Sequence, residues 1–126
     1  SDGDCQEGST WEAVMAAGHH KLDNLTAIVD YNNLCSFEKV SSTFSNFEPL
    51  VDKFSSFGWS IREIDGHNVE QIYKALRATP FAKNKPSVII AHTVKGNGVS
   101  FMENDPSWHY KVPTLEEYQK ALKELS

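Results

Sequence analysis

The chain has 126 residues, 40% of them hydrophobic, and a formal net charge of −5 at neutral pH. This length suits one domain with a modest core, and the negative charge disfavours nucleic acids and anionic membranes as main partners, because both would repel the chain. Its two cysteines lack zinc-type or disulfide-framework spacing, and no apolar run approaches the roughly 20 residues of a membrane span, so we expect a cytoplasmic protein.

The apolar pattern alternates between helical and strand-like periods. Helical spacing predicts four helices, at 11–22, 47–57, 68–79 and 114–125, with capping boxes at Ser9/Glu12 and Thr114/Glu117. Short runs rich in β-branched residues predict buried strands at 25–30, 59–64 and 87–93. Loops are expected at 31–46 and 94–113. This order predicts an α/β fold, a three-layer parallel sheet with crossover helices.

The third helix is expected to start at Asn68 and to bury Val69, Ile72, Tyr73 and Leu76. At the start of the chain, nothing but Ser1 precedes Asp2, although a turn of this kind normally follows a strand. A three-stranded parallel sheet also needs cover on both faces and both edges. We therefore expect residues 1–126 to be a partial domain, which an N-terminal segment or a partner completes.

Two polar turns, at Asp2-Gly3 and Asn32-Asn33-Leu34, flank the first helix and strand and are expected at one edge of the sheet, where open α/β sheets bind ligands. The Asp2 carboxylate, the Asn32 amide oxygen and the Leu34 carbonyl are hard oxygen ligands suited to Mg²⁺. Gly3 leaves room for a phosphate group, and the following helix start could add N–H donors. Either motif alone is more commonly a structural turn.

Two further positions have open alternatives. Lys95, followed by Gly96 and Gly98, could form a phosphate-facing loop or a flexible surface turn. His109, on an irregular loop beside Trp108, could exchange protons near neutrality or could be structural.

The sequence resembles the transketolases. The resemblance lies in residues 1–8 (SDGDCQEG), 11–13 (WEA) and 22–32 (LDNLTAIVDYN), which match their thiamine-diphosphate motif, and in the later runs 57–59 (FGW), 65–67 (DGH), 92–103 (HTVKGNGVSFME) and 108–109 (WH). It covers nearly the whole chain. The similarity is greatest to the second half of the N-terminal subunit of split bacterial or archaeal transketolases.

The resemblance implies roles for the site residues. Asp2, Asn32 and the Leu34 carbonyl match the Mg²⁺ ligands, and Gly3 and Asn32 match contacts to the thiamine diphosphate. In the same comparison His109 matches a histidine near both cofactor and sugar. Lys95 matches a lysine that faces the reactive side of the thiazolium. Glu7 matches a glutamate in an acidic network between subunits. Two positions depart from the family: Ser1 and Tyr110 stand where glycines are usual.

The implied function is part of a transketolase that moves a two-carbon ketol unit from a ketose phosphate to an aldose phosphate with thiamine diphosphate and Mg²⁺. Its expected partners are a sugar phosphate and a C-terminal subunit or the remainder of the chain, in a dimer or higher assembly. The family's activating glutamate lies on another domain, so we expect no turnover by this chain alone. The alternative is a truncated, non-catalytic module that binds Mg²⁺-diphosphate weakly or only assembles with a partner.

Overall fold

The computed structural model describes residues 1–36 and 38–126. In chain order its elements are α1 (Gly8–His19), β1 (Thr26–Tyr31), β2 (Leu34–Cys35), β3 (Glu38–Lys39), α2 (Val40–Thr43), α3 (Leu50–Ser56), β4 (Ser60–Asp65), α4 (Val69–Arg77), β5 (Ser87–His92) and α5 (Leu115–Glu124). Single turns of 3₁₀ helix lie at Asp4–Gln6 and Pro106–His109.

The main sheet has three parallel strands in the order β1-β5-β4. Ser87 at the start of β5 is level with Thr26 of β1 and with Ser60 of β4, so all three strands end at one edge. The central strand β5 is the most deeply buried, with Val88, Ile89 and Ile90 at most 1% exposed. A continuous apolar run buried on both faces is typical of a parallel sheet.

Helices cover both faces of this sheet. On one face, α1 and α3 pack Val14, Ala17 and Phe54 against strand residues that include Val29 and Ile90. On the other face, Ala75 of α4 packs with Ile64, Ile89 and Ala91. The predicted three-layer α/β architecture is thus confirmed.

Three local predictions were wrong. The helix α1 begins at Gly8 with Glu7 as its N-cap and no side-chain cap, so Ser9 and Glu12 form no capping box. Ser9 lies inside the helix because the preceding 3₁₀ turn already ends at Gln6. The expected loop at 31–46 contains the antiparallel pair β2/β3 and the short helix α2.

The third error concerns the buried face of α4. Asn68 does cap this helix, since its side chain accepts a hydrogen bond from the Gln71 N–H. Only Ala75 is buried, with Ile72 partly buried beside it, because α4 contacts the sheet along that side. The other apolar positions expected in the stripe are exposed: Val69 (78%), Tyr73 (61%) and Leu76 (43%).

The start of the last helix agrees with the sequence. Thr114 and Glu117 form the predicted capping box of α5, with each side chain bonded to the other residue's backbone N–H. Among residues 1–36 and 38–126, no helix combines the length and the apolar character needed to cross a membrane.

Candidate functional site

The buried carboxylate of Asp2 joins the two predicted polar turns. Asp2 has no exposed surface. Its Oδ1 accepts the Gly3 N–H at 3.0 Å, and its Oδ2 accepts the Asn33 N–H at 2.6 Å. The Asp2 N–H in turn donates to the Asp30 carbonyl at 3.0 Å. The opening turn and the end of β1 therefore lie together at the carboxyl edge of the sheet.

The Asn32 side chain is held in a defined orientation. Its Oδ1 accepts the Leu34 N–H at 2.9 Å, and its Nδ2 donates to Asp30 Oδ1 at 3.4 Å. Asn33 has φ +62°, a left-handed conformation that asparagine tolerates better than most residues. This conformation reverses the chain, so Asn32 and Leu34 lie on one tight turn beside Asp2.

Burial dominates the electrostatics of Asp2. Loss of solvent raises the pKa of its carboxyl group above the usual range, while the two backbone N–H bonds from Asn33 and Gly3 act in the opposite direction. Asp30 adds a smaller like-charge effect that also raises this pKa. A cation bound here would favour the ionised carboxylate, since an opposite charge stabilises the charged form.

Gly3 occupies a position where a side chain would be crowded. A Cβ there would lie 3.2 Å from Cys35 Cα and 3.3 Å from Cys35 Sγ. The segment after Gly3 differs from the expected start of a long helix, because a single 3₁₀ turn intervenes and α1 begins only at Gly8. The N–H groups of Cys5 and Gln6 are used within that turn, bonded to the carbonyls of Asp2 and Gly3.

A cleft of about 330 Å³ opens beside these turns. Most of the predicted site residues line it, together with several that the sequence did not indicate. The lining residues are Ser1, Gly3, Asp4, Glu7, Asp30, Asn32, Leu34, Cys35, Ser36, Lys95 and His109. Asp2 is buried next to the lining residue Gly3. The seven predicted positions are thus brought together from opposite ends of the chain.

Lys95 reaches the cleft from a tightly folded loop. Its carbonyl accepts the Asn104 N–H at 2.9 Å. The next residue, Gly96, has φ +77°, and a Cβ there would lie 2.6 Å from the Met102 carbonyl oxygen. Only glycine fits such a turn without displacing the backbone. The loop is therefore a defined support for Lys95, which argues against a flexible surface turn.

His109 is exposed at the end of the 3₁₀ turn Pro106–His109, and Trp108 fixes that turn. The Trp108 Nε1–H donates to the Phe101 carbonyl at 3.0 Å, and the Trp108 and Phe101 rings pack edge to face with their centroids 5.5 Å apart. The Tyr110 and His109 rings also pack edge to face, with their centroids 4.5 Å apart. Trp108 is thus an anchor, while the imidazole of His109 is presented to the cleft.

Sequence reasoning missed Asp30 as part of this wall. Asp30 Oδ1 accepts hydrogen bonds from Asn32 Nδ2 and from Thr93 Oγ1, which follows β5. Its position as a polar residue near the end of a buried strand was the available signal. Asp4, Cys35 and Ser36 also line the cleft and were not predicted.

A larger hollow of about 420 Å³ lies elsewhere, lined mainly by uncharged side chains such as Trp11, Phe44 and Phe47. Lys53 is the charged residue of its described lining, and no carboxylate is among them. Because metal and diphosphate recognition needs oxygen ligands and N–H donors, the smaller polar cleft is the better candidate.

The residues at the cleft fit a magnesium ion that takes some of its ligands from the protein and the others from a bound phosphate. Asp2, Asn32 and the Leu34 carbonyl offer only oxygen donors, the class that Mg²⁺ prefers. Within the described residues, no group of three or more His, Cys, Asp and Glu side chains could hold a metal by itself. A metal at this cleft would therefore need ligands from a bound anion or water, as Mg²⁺ commonly does.

Comparison with known proteins assigns the family. Residues 1–124 match the Transketolase_N family, described as "Transketolase, thiamine diphosphate binding domain". The chain belongs to this family. The resemblance first seen in the sequence motifs is thus confirmed, and the three-layer sheet agrees with the fold of solved transketolases.

Several transketolase relatives match almost the whole of this chain. It is 41% identical to one subunit of the apulose-4-phosphate transketolase of Phocaeicola vulgatus, over 99% of this chain and 44% of that protein. It is 40% identical to the 6-deoxy-6-sulfo-D-fructose transketolase subunit SqwG of a Clostridium species, over 98% of this chain and 45% of the relative. The chain therefore spans less than half the length of these relatives.

A solved transketolase has the same fold over this region. The crystal structure of the Campylobacter jejuni enzyme superposes with a TM-score of 0.86 at 34% identity, covering 96% of this chain and 19% of the larger one. The present transketolase-family chain thus matches 19% of the length of that solved enzyme.

Proposed function

We propose that this chain supplies the diphosphate-binding side of a transketolase active site. The observation that carries the proposal is that Gly3, Asn32 and Leu34 line one polar cleft together with Lys95, and that the buried carboxylate of Asp2 joins the two turns beside it. The family match supports thiamine diphosphate as the cofactor, and the oxygen donor set supports Mg²⁺. The proposed reaction is transfer of a two-carbon ketol unit from a ketose phosphate to an aldose phosphate.

In this proposal the cofactor, when bound, supplies a nucleophilic carbon that accepts the two-carbon unit, as cofactors generally carry the difficult chemistry. The residues of this chain bind and orient. Asp2, Asn32 and the Leu34 carbonyl hold the metal, and Gly3 keeps the cleft wall open for the diphosphate.

The side chains on the other wall are proposed to act on the sugar. The Lys95 ammonium places a positive charge opposite the carboxylates and can attract a phosphorylated or otherwise anionic substrate. The His109 imidazole can donate or accept a proton at a sugar hydroxyl, since histidine exchanges protons near neutral pH. Glu7, which is exposed on the rim, is proposed to face a neighbouring subunit.

A partner is part of the proposal. Two of the relatives are named as subunits of transketolases, and each is more than twice as long as the region matched here. We propose that a C-terminal transketolase subunit, or the remainder of a longer chain, completes the active site in a dimer or higher assembly. The names of these relatives refer to two different sugars, so the proposal is limited to the reaction type.

Calorimetry and a ketol-transfer assay test the proposal. The full protein, with a candidate C-terminal subunit, is titrated with thiamine diphosphate in the presence of Mg²⁺. Asp2→Ala and Asn32→Ala should weaken cofactor binding by at least about tenfold, the size found even for outer partners of metal ligands. Asp52→Ala, an exposed position on α3, is the matched control and should bind like the wild type.

The outcomes separate the two candidate functions. Ketol transfer that disappears with Asp2→Ala supports the enzyme. Saturable cofactor binding without turnover in any mixture supports the non-catalytic binding module. Unchanged cofactor affinity after Asn32→Ala would overturn the metal site in either case.

A further inference from the structure

The turn Asp65-Gly66-His67 packs closely on the end of the central strand. The Gly66 N–H donates to the His92 carbonyl at 2.8 Å, and a Cβ at Gly66 would lie 2.4 Å from Thr93 Cγ2. The His67 N–H donates to Asp65 Oδ1 at 2.9 Å, which fixes the direction of the turn. The turn after β4 is therefore held rigidly against the residues that follow β5.

The His67 ring makes a specific contact from this turn. Its Nε2 lies 2.7 Å from the Val94 nitrogen and accepts the Val94 N–H. A ring nitrogen can accept a hydrogen bond only when it carries no proton, so this contact requires the neutral imidazole with its proton on Nδ1. Replacing the ring with an apolar side chain would leave the Val94 N–H without this acceptor.

Val94 is the residue immediately before Lys95, which lines the cleft. Within the loop, the Asn104 N–H holds the Lys95 carbonyl and the Val99 N–H bonds to Gly96. These contacts shape the loop but do not attach it to the sheet. Thr93 is attached to β1, since its N–H donates to the Tyr31 carbonyl and its hydroxyl donates to Asp30. The bond from Val94 to His67 adds an attachment to the turn after β4, one residue before Lys95.

We propose that His67 is a positioning residue for Lys95: its ring nitrogen fixes the Val94 N–H and thereby the point from which the lysine enters the cleft. This inference rests on the proposed function, in which Lys95 faces the bound cofactor and sugar. His67 itself acts only through the backbone of the loop.

Hydrogen–deuterium exchange on the full protein tests the contact independently of activity. Loss of the acceptor in His67→Leu should speed exchange of the Val94 amide on the order of tenfold. Gln can place an oxygen where Nε2 lies, whereas Asn is too short. We therefore expect His67→Gln to retain protection and His67→Asn to lose it. His20→Leu, at an exposed histidine beyond α1, should leave the loop unchanged.

Either of two exchange results would overturn the inference: unchanged exchange in the Leu and Asn variants, or exchange in the Gln variant as fast as in the Leu variant. The second result would show that ring volume, and not the acceptor, holds the loop. If His67→Leu fails to fold, which the loss of slowly exchanging amides in β5 would reveal, the Asn and Gln variants carry the test.

Steady-state kinetics on the assembled enzyme tests the link to Lys95. If His67 acts through Lys95, His67→Leu should lower kcat on the order of tenfold, and adding it to Lys95→Ala should cause little further loss. If the losses in kcat of the two single variants added in full in the double variant, the inference would be contradicted. Complete absence of ketol transfer in the wild type would instead count against the proposed function, while the exchange experiment would still decide the role of His67.

Discussion

The two cysteines lie close to the opening turn but differ in surroundings. Cys5 is 3% exposed, and burial raises the pKa of its thiol to about 11. Cys35 is only partly buried and lines the cleft, where its Sγ lies beside Gly3. The thiolate is the reactive form, and it must be reachable by the reagent.

We therefore expect maleimide to modify Cys35 faster than Cys5 by roughly tenfold or more, because Cys5 is both shielded and harder to ionise. Mass spectrometry of time points measures the two rates, and Cys35→Ser provides the control in which only the slow phase remains. Addition of thiamine diphosphate with Mg²⁺ should slow the reaction of Cys35. Equal rates at the two thiols would contradict this description of the cleft.

At the scale of elements, the end of α1 depends on a glycine. A Cβ at Gly18 would lie 1.9 Å from the Phe57 carbonyl oxygen, so the helix and the segment after α3 touch through backbone atoms. By contrast, Gly8 at the start of the same helix has open space around it. The two positions form a matched pair within one helix.

Gly18→Ala should destabilise the chain by about 1–3 kcal/mol, the cost typical of overpacking, despite the better helix propensity of alanine. Gly8→Ala should change the free energy of unfolding by less than about 0.5 kcal/mol. Urea denaturation followed by circular dichroism gives both values. If Gly18→Ala left the free energy of unfolding unchanged, α1 and the segment around Phe57 could separate without cost.

The two capping boxes expected from the sequence provide a second matched pair. Thr114 accepts the Glu117 N–H in the structure, whereas the N-cap of α1 has no side-chain bond. Thr114→Ala should therefore cost about 1 kcal/mol, and Ser9→Ala should cost less than about 0.5 kcal/mol. The same denaturation experiment compares them, and a similar loss at both positions would refute the assignment of the caps.

These caps also show what the sequence can and cannot predict about elements. The Ser/Thr-x-x-Glu pattern occurs at both sites, but the backbone before Ser9 was already turning at Asp4–Gln6, which no local pattern revealed. In α4, the helical spacing of the apolar residues correctly predicted a helix. Its exposed Val69 and Tyr73 could not be foreseen, because periodicity does not say which apolar side faces the sheet.

At the scale of the whole molecule, β5 is the central strand of the main sheet. It is hydrogen-bonded to β1 on one side and to β4 on the other, and its residues Val88–Ile90 are almost completely buried. Amides that open only when the entire sheet comes apart exchange most slowly.

We expect the amides of Ile89 and Ile90 to exchange more slowly than any in α5, which is largely exposed. Nuclear magnetic resonance of the protonated chain transferred to D₂O measures the order of exchange. If amides of α5 persisted as long as those of β5, the chain would not unfold around its central strand.

At this scale the candidate site could be predicted to a considerable extent. Parallel strands place their carboxyl ends at one edge, so the turns at Asp2 and Asn32 were expected to meet. The motif resemblance added Lys95 and His109, which spacing alone left open. Asp30 was missed because a polar residue ending an apolar strand signals a ligand edge without showing which oxygen faces the cleft.

The charges around the cleft have a consequence for the order of events in binding. Three carboxylates, Asp4, Glu7 and Asp30, line the cleft, with the buried Asp2 beside it. Lys95 is the lysine on the described lining, and the ammonium of Ser1 is paired with Asp4. A diphosphate entering alone would meet net repulsion, and a magnesium ion alone would lack most of its ligands. Each should therefore increase the affinity of the other by the same factor, so that cation and cofactor load as one cooperative unit.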